Sequence, residues 1–168
     1  MSETTDQRPL AFVDIDGVVA DVRHRLFHIE RRPKDWDGFF EAAIDDPPHD
    51  EGLAIVDQLA TDHEVIFLTG RPHRTEADTR EWLERHGLGG HRLVMRPEGD
   101  RRPAPIVKAE LLAELGRGRV VSVVVDDDAS VVGALRNAGY NVFHADWEAR
   151  SAEEERARFD AQDIDGRT

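Results

Sequence analysis

Cysteine is absent from the sequence, which excludes disulfides, thiolate metal sites and cysteine nucleophiles together. Any metal would have to be held by oxygen or imidazole. No run of about 18 apolar residues exists, and the polar stretch 1–9 lacks the basic-then-apolar build of a secretory signal. These features predict a soluble cytoplasmic protein with no membrane partner. Lysine is scarce, Lys34 and Lys108 being the two among 22 basic residues, and 35 acidic residues bring the formal net charge to −13. Such a balance argues against a broad electrostatic grip on nucleic acid, because non-specific affinity comes mainly from neutralised phosphates. A local basic cleft stays compatible with it. Part of the acidic excess lies in residues 148–168, where Glu153, Glu154 and Glu155 form a charge run that reads as a solvated helix face or frayed end.

What is present is an alternation of short apolar runs with amphipathic stretches. At 39% hydrophobic content, the 168 residues fit a single domain, 1–168. Residues 10–15 (LAFVDI) read as a buried strand that ends in acidic residues and a glycine, and runs at 65–68, 93–95, 120–125 and 140–143 share that character. Helical patterns lie between them at 52–60, 75–86, 105–115 and 129–138, most of them closed by a glycine. Strands buried on both faces and alternating with helices predict an α/β fold, with a parallel sheet covered by helices and a site at the carboxyl ends of the strands. The charged, aromatic segment 18–50 breaks the alternation and closes with Pro47-Pro48. It is expected to form a small helical cap inserted after the first strand, over the strand ends.

Four groups with chemistry sit at the exits of these elements. The first strand ends in Asp14-Ile15-Asp16-Gly17, whose two carboxylates would repel strongly in a partly dry site unless a cation neutralises them. Oxygen ligands and a phosphate substrate point to Mg²⁺. The run 65–68 continues into Thr69-Gly70-Arg71, which offers a hydroxyl, a backbone amide and a guanidinium, all suited to phosphate oxygens. Lys108 opens a helix after a proline-rich loop, and 123–125 lead into Asp126-Asp127-Asp128. Each group alone is an ordinary turn or cap. Their order, each at a strand's exit, is what carries the signal.

In that order the groups resemble the four motifs of haloacid dehalogenase-type phosphatases, over about residues 10 to 145. The resemblance implies a Rossmann-like sheet with a small cap. It also implies a magnesium-dependent phosphatase in which Asp14 attacks phosphorus and Asp16 protonates the departing oxygen and later activates water. Thr69, Gly70 and Lys108 would hold the equatorial oxygens, and the metal would sit among Asp14, the Asp16 carbonyl, Asp126 and Asp127. Asp21-Val22-Arg23-His24-Arg25, the stretch 33–40, Thr79-Arg80-Glu81-Trp82-Leu83 and the stretch 95–100 are similar, more narrowly, to the phosphatase domains of bacteriophage polynucleotide kinase/phosphatase and its relatives. By that similarity the substrate is a nucleic acid 3′-phosphate end or a nucleotide, with Arg71 and Arg25 on the phosphate or nucleotide and Arg96 near the cleft. No GxxxxGK[ST] segment occurs, so no kinase activity is expected. Ala104-Pro105 and Asp128 depart from the subfamily pattern.

Three alternatives remain: a phosphatase for an unrelated small phosphorylated metabolite, a phospho-accepting receiver domain, and a non-catalytic binding module. A receiver gathers its acidic pair after the first strand and accepts phosphate on a central Asp, whereas here an acidic cluster follows the lysine. Trp36, Phe39 and Phe40 at near-helical spacing suggest lid packing more than base stacking. His24 and His28 are four residues apart, but without a third ligand nearby they read as surface histidines rather than a metal site. Arg31-Arg32 suggest a basic rim to the cleft.

Overall fold

The computed structural model describes residues 7–148. The expected acidic tail therefore lies outside the described residues, except for Glu148. Five parallel strands, β1 (Leu10–Val13), β2 (Glu64–Pro72), β3 (Arg92–Arg96), β4 (Val121–Asp126) and β5 (Val142–His144), form one sheet in the order β3-β2-β1-β4-β5. The chain winds outward from β1 in both directions, so the strand order reverses beside it. In such sheets that reversal leaves a crevice outside the carboxyl ends of the central strands.

Period-2 alternation sends successive β1 side chains into two different cores. Ala11 and Val13 pack with Val56, Phe67, Trp82 and Leu83 on one face, where α3 (Asp50–Leu59) and α4 (Glu76–Arg85) lie. Leu10 and Phe12 pack with Ala104, Leu112, Val131, Val132 and Leu135 on the other, under α5 (Ala104–Leu115) and α6 (Ala129–Asn137). All four β1 residues are buried. This is why the first strand reads as a continuous apolar run rather than an alternating one.

Between β1 and α3 run two short helices, α1 (Phe27–Glu30) and α2 (Trp36–Glu41), flanked by 3₁₀ turns at Arg23–Arg25 and Ala42–Asp45. Asp35 starts α2 by accepting a hydrogen bond from the Gly38 amide at 2.9 Å. Val22, Leu26, Ile29, Phe39 and Phe40 are buried together, with Trp36 packed against them. The three aromatics thus form the interior of this segment, as their spacing suggests. Gly52 lets α3 approach closely, because a Cβ there would overlap the carbonyl oxygen of Val18.

The elements differ in detail from the expected ones. β2 continues through Thr69, Gly70 and Arg71 to Pro72, with its pairing to β3 shifted between Thr69 and Pro72. α5 begins at Ala104, with proline in its first turn, so Lys108 lies in the second turn and is buried rather than opening the helix. Among the described residues, no helix is long and apolar enough to cross a membrane.

Candidate active site

The register of the sheet builds the centre of the site. Val13 pairs with Val125 in parallel, and the Asp14 amide donates to the Val125 carbonyl at 2.9 Å, so the next residues along, Asp14 just past β1 and Asp126 at the end of β4, stand side by side. Asp127 follows directly. Carboxylate oxygens of Asp14, Asp126 and Asp127 lie within 4.8 Å of one another, and all three residues are buried. Immediately after Asp16 the chain needs a left-handed turn, which Gly17 provides at φ 81°. The amides of Val18, Val19 and Ala20 then all return to the Ile15 carbonyl, at 3.0 to 3.1 Å, which fixes the loop that carries both acids.

Lys108 reaches this cluster from α5. Its ammonium lies 2.6 Å from Asp126 Oδ2 and 3.2 Å from Asp14 Oδ2. Burial pushes the Asp14 carboxyl well above the usual carboxylate range; Lys108 opposes the shift, while Asp126, Asp127 and Asp16 add to it. Asp126 is raised for the same leading reason, again against Lys108. Burial alone would lower the lysine, but Asp126 and Asp14 outweigh it and hold the ammonium charged. Three carboxylates facing one ammonium leave an excess of negative charge in a desolvated place. An all-oxygen set of this kind suits a hard divalent cation.

Thr69 is buried within β2, the strand beside β1, and its Oγ1 accepts from the Arg71 amide at 3.1 Å. That bond leaves the hydroxyl proton available to another acceptor. Asp16 engages two guanidinium groups: Arg71 Nε and Nη2 lie 3.0 and 2.7 Å from its Oδ1, and Arg25 Nη2 lies 2.9 Å from the same atom. Both arginines also reach Asp46, a buried residue that the sequence reasoning passed over. The acidic pair before Pro47-Pro48 was its one signal. Burial would lower the Arg71 pKa, but Asp16 and Asp46 raise it above its ordinary value.

Arg96 stands at the end of β3 with its Nη1 on the carbonyls of Asp100 and Arg102, at 3.1 and 2.8 Å, and so braces the loop before α5. His24 and His28 turn to different partners, Asp46 at 2.6 Å and Asp35 at 3.0 Å, and share no metal-like cluster among the described residues. Arg31 and Arg32 are exposed. The departures at 104 and 128 have local reasons. Ala104 is fully buried under the sheet, and Asp128 caps α6, accepting from the Ser130 amide at 2.8 Å.

Comparison with known proteins follows the same line. The family model of the polynucleotide kinase PNKP phosphatase domain matches residues 9–148. A protein of Autographa californica nuclear polyhedrosis virus, named as a bifunctional polynucleotide kinase/RNA ligase, is 29% identical over 131 residues, which are 76% of this chain and 18% of the viral one. Among solved structures, a chain of the Pnkp1/Rnl/Hen1 RNA repair complex superposes with a TM-score of 0.68 at 22% identity, covering 85% of this chain and 44% of that one. A haloacid dehalogenase-like hydrolase from Streptococcus pneumoniae gives 0.60 at 8% identity, with 92% of each chain covered. The chain thus spans less than half the length of the first two of these relatives, while matching the dehalogenase-like hydrolase nearly end to end.

Proposed function

Since the chain belongs to the family of polynucleotide kinase PNKP phosphatase domains, and is on that ground a phosphatase of the haloacid dehalogenase fold, we propose that it removes 3′-phosphates from nucleic acid ends through an aspartyl-phosphate on Asp14. The observation that carries this reading is the convergence of Asp14, Asp126, Asp127 and Lys108, from β1, β4 and α5, on one buried point. The placement of the substrate at nucleic acid ends rests on the family and on the polynucleotide kinase named among the relatives.

Phosphate monoesters hydrolyse extremely slowly in water, so the site must overcome charge repulsion and a poor leaving group. A carboxylate oxygen of Asp14 forms a bond to phosphorus as the bond to the substrate's ester oxygen breaks. Asp16 gives its proton to that oxygen, which departs as an alcohol. Asp16, now a carboxylate, then takes a proton from water as the water oxygen attacks the same phosphorus, releasing inorganic phosphate and restoring Asp14. Lys108 has three N–H donors, two of them facing Asp126 and Asp14, and its third is free to hold a phosphoryl oxygen. The Thr69 hydroxyl and the Gly70 amide hold the others as charge spreads over them. Arg71 and Arg25, already engaged with carboxylates, act from behind Asp16. Asp14, Asp126, Asp127 and the Asp16 carbonyl would hold Mg²⁺, whose charge offsets the excess of carboxylates and lets an anionic nucleophile meet an anionic phosphate.

The test is phosphate release from a 3′-phosphorylated oligonucleotide, nucleoside monophosphates and sugar phosphates, each with Mg²⁺ and with chelator. Release from the oligonucleotide that disappears with chelator is expected, and Asp14→Asn should abolish it with the fold intact. Release confined to sugar phosphates would overturn the substrate, and an active Asp14→Asn would overturn the chemistry.

A further inference from the structure

Asp46 lies far in sequence from any phosphatase motif, yet it is among the most heavily engaged carboxylates of the described residues. Only 2% of it is exposed. Arg25 Nε donates to its Oδ1 at 2.7 Å and Arg25 Nη2 to its Oδ2 at 2.8 Å, a bidentate fork. Arg71 Nη2 reaches Oδ2 at 3.2 Å, and His24 Nε2 lies 2.6 Å from Oδ1. Its backbone is pinned as well, since the Trp82 indole N–H donates to the Asp46 carbonyl at 2.9 Å.

We infer that Asp46 is a positioning residue for the proton transfer by Asp16, acting through Arg25 and Arg71. The inference deepens the proposed function and rests on Asp16 being the proton donor there. The two guanidinium groups each bridge Asp46 and Asp16, so four charges of balanced sign form one closed set. Arg25 is further held over the Phe39 ring, 4.3 Å from its centroid, and Arg71 Nη1 donates to the Thr79 hydroxyl at 3.3 Å. Both guanidinium groups are thus buried and held at several points. Three N–H donors from this set converge on Oδ1 of Asp16, which fills that oxygen and assigns the transferable proton to Oδ2. Loss of Asp46 removes the far anchor of both forks. The guanidinium groups then lose the geometry that spans both carboxylates, and the Asp16 carboxyl loses its fixed orientation. The set also joins the helical segment after β1 to β2 and α4, so the geometry of the acid depends on that segment being seated.

A purely structural carboxylate and a positioning one separate by leaving group. Proton donation matters most when the departing oxygen is an alkoxide and little when it is an acidic phenol. The ratio kcat/KM, which reports steps through the first departure, is measured for a nucleoside 3′-monophosphate and for 4-nitrophenyl phosphate, with thermal melts of each variant. Positioned acids contribute about 10²- to 10⁴-fold, so Asp46→Asn should lose roughly tenfold or more beyond its loss on the phenyl ester when acting on the alkyl ester. Arg25→Lys, which keeps the charge but lacks a fork able to span both carboxylates, should lose activity with the same selectivity, and it carries the test if Asp46→Asn does not fold. Equal losses on both substrates in the folded variants would overturn the positioning role. Failure of the wild type on both esters would instead overturn the proposed function itself.

Discussion

Replacing Lys108 with methionine tests the charge balance of the site. The ammonium stands 2.6 Å from Asp126 and 3.2 Å from Asp14, and it is the one cation that pairs with either of them among the described residues. Methionine fills similar space, so packing changes little while three buried carboxylates lose their counter-charge. Removing one partner from a buried ion pair costs about 3 to 5 kcal/mol, most of it the uncompensated charge left behind. For a chain of this length each kcal/mol lowers the Tm by about 2 to 4 °C, so Lys108→Met should melt roughly 6 to 20 °C below the wild type in chelator. A cation that binds only the native state adds stability with its concentration. Magnesium should therefore raise the Tm of Lys108→Met by more than it raises the wild type's. Thermal melts with chelator and with Mg²⁺ read both quantities. A variant that melts within a degree or two of the wild type in chelator would refute the idea that Lys108 balances this cluster.

Other consequences follow from single contacts. Gly52→Ala should destabilise by about 1 to 3 kcal/mol, read from a urea melt, because the added methyl meets the Val18 backbone rather than a side chain that can move. His49 lies 3.1 Å from Glu148; burial works against its charged form, but Glu148 outweighs burial and raises the pKa above the ordinary histidine value of about 6.5. A raised folded-state pKa contributes stability that is fully present below the unfolded pKa and fades as pH rises through the folded one. The Tm deficit of Glu148→Gln should thus be larger at about pH 5.5 than at about pH 8.5, with a residual deficit from the bond that Glu148 accepts from the Val22 amide at 2.9 Å.

How much of this was legible in the sequence depends on whether the signal is local. Strands β1, β2 and the second half of β4 announce themselves because both faces are buried, and the parallel sheet follows from their alternation with helices. The meeting of Asp14 with Asp126 is a matter of register, fixed once Val13 pairs with Val125. Position within a helix was less legible. The start of α5 at Ala104 lies within a residue of the expected 105, proline being tolerated there, but Lys108 sits in its second turn rather than opening it. The partners of Arg25 and Arg71 were not legible at all. A guanidinium next to a phosphatase motif suggests a phosphate, and nothing in the residues around Asp46 shows that a fold-level contact, across 21 and 25 positions, claims both. The departure at Asp128 has a plain local use as the cap of α6, where its carboxylate serves amides rather than the site.

The central claim is that Asp14 carries the phosphoryl group. The direct measurement is a rapid quench of the magnesium-loaded enzyme with substrate into borohydride, which reduces an acyl phosphate to an alcohol, followed by peptide mapping. The account predicts reduction at Asp14 in the wild type and none without substrate. Reduction at another aspartate, or phosphate release with Asp14 unmodified at every quench time, would contradict it.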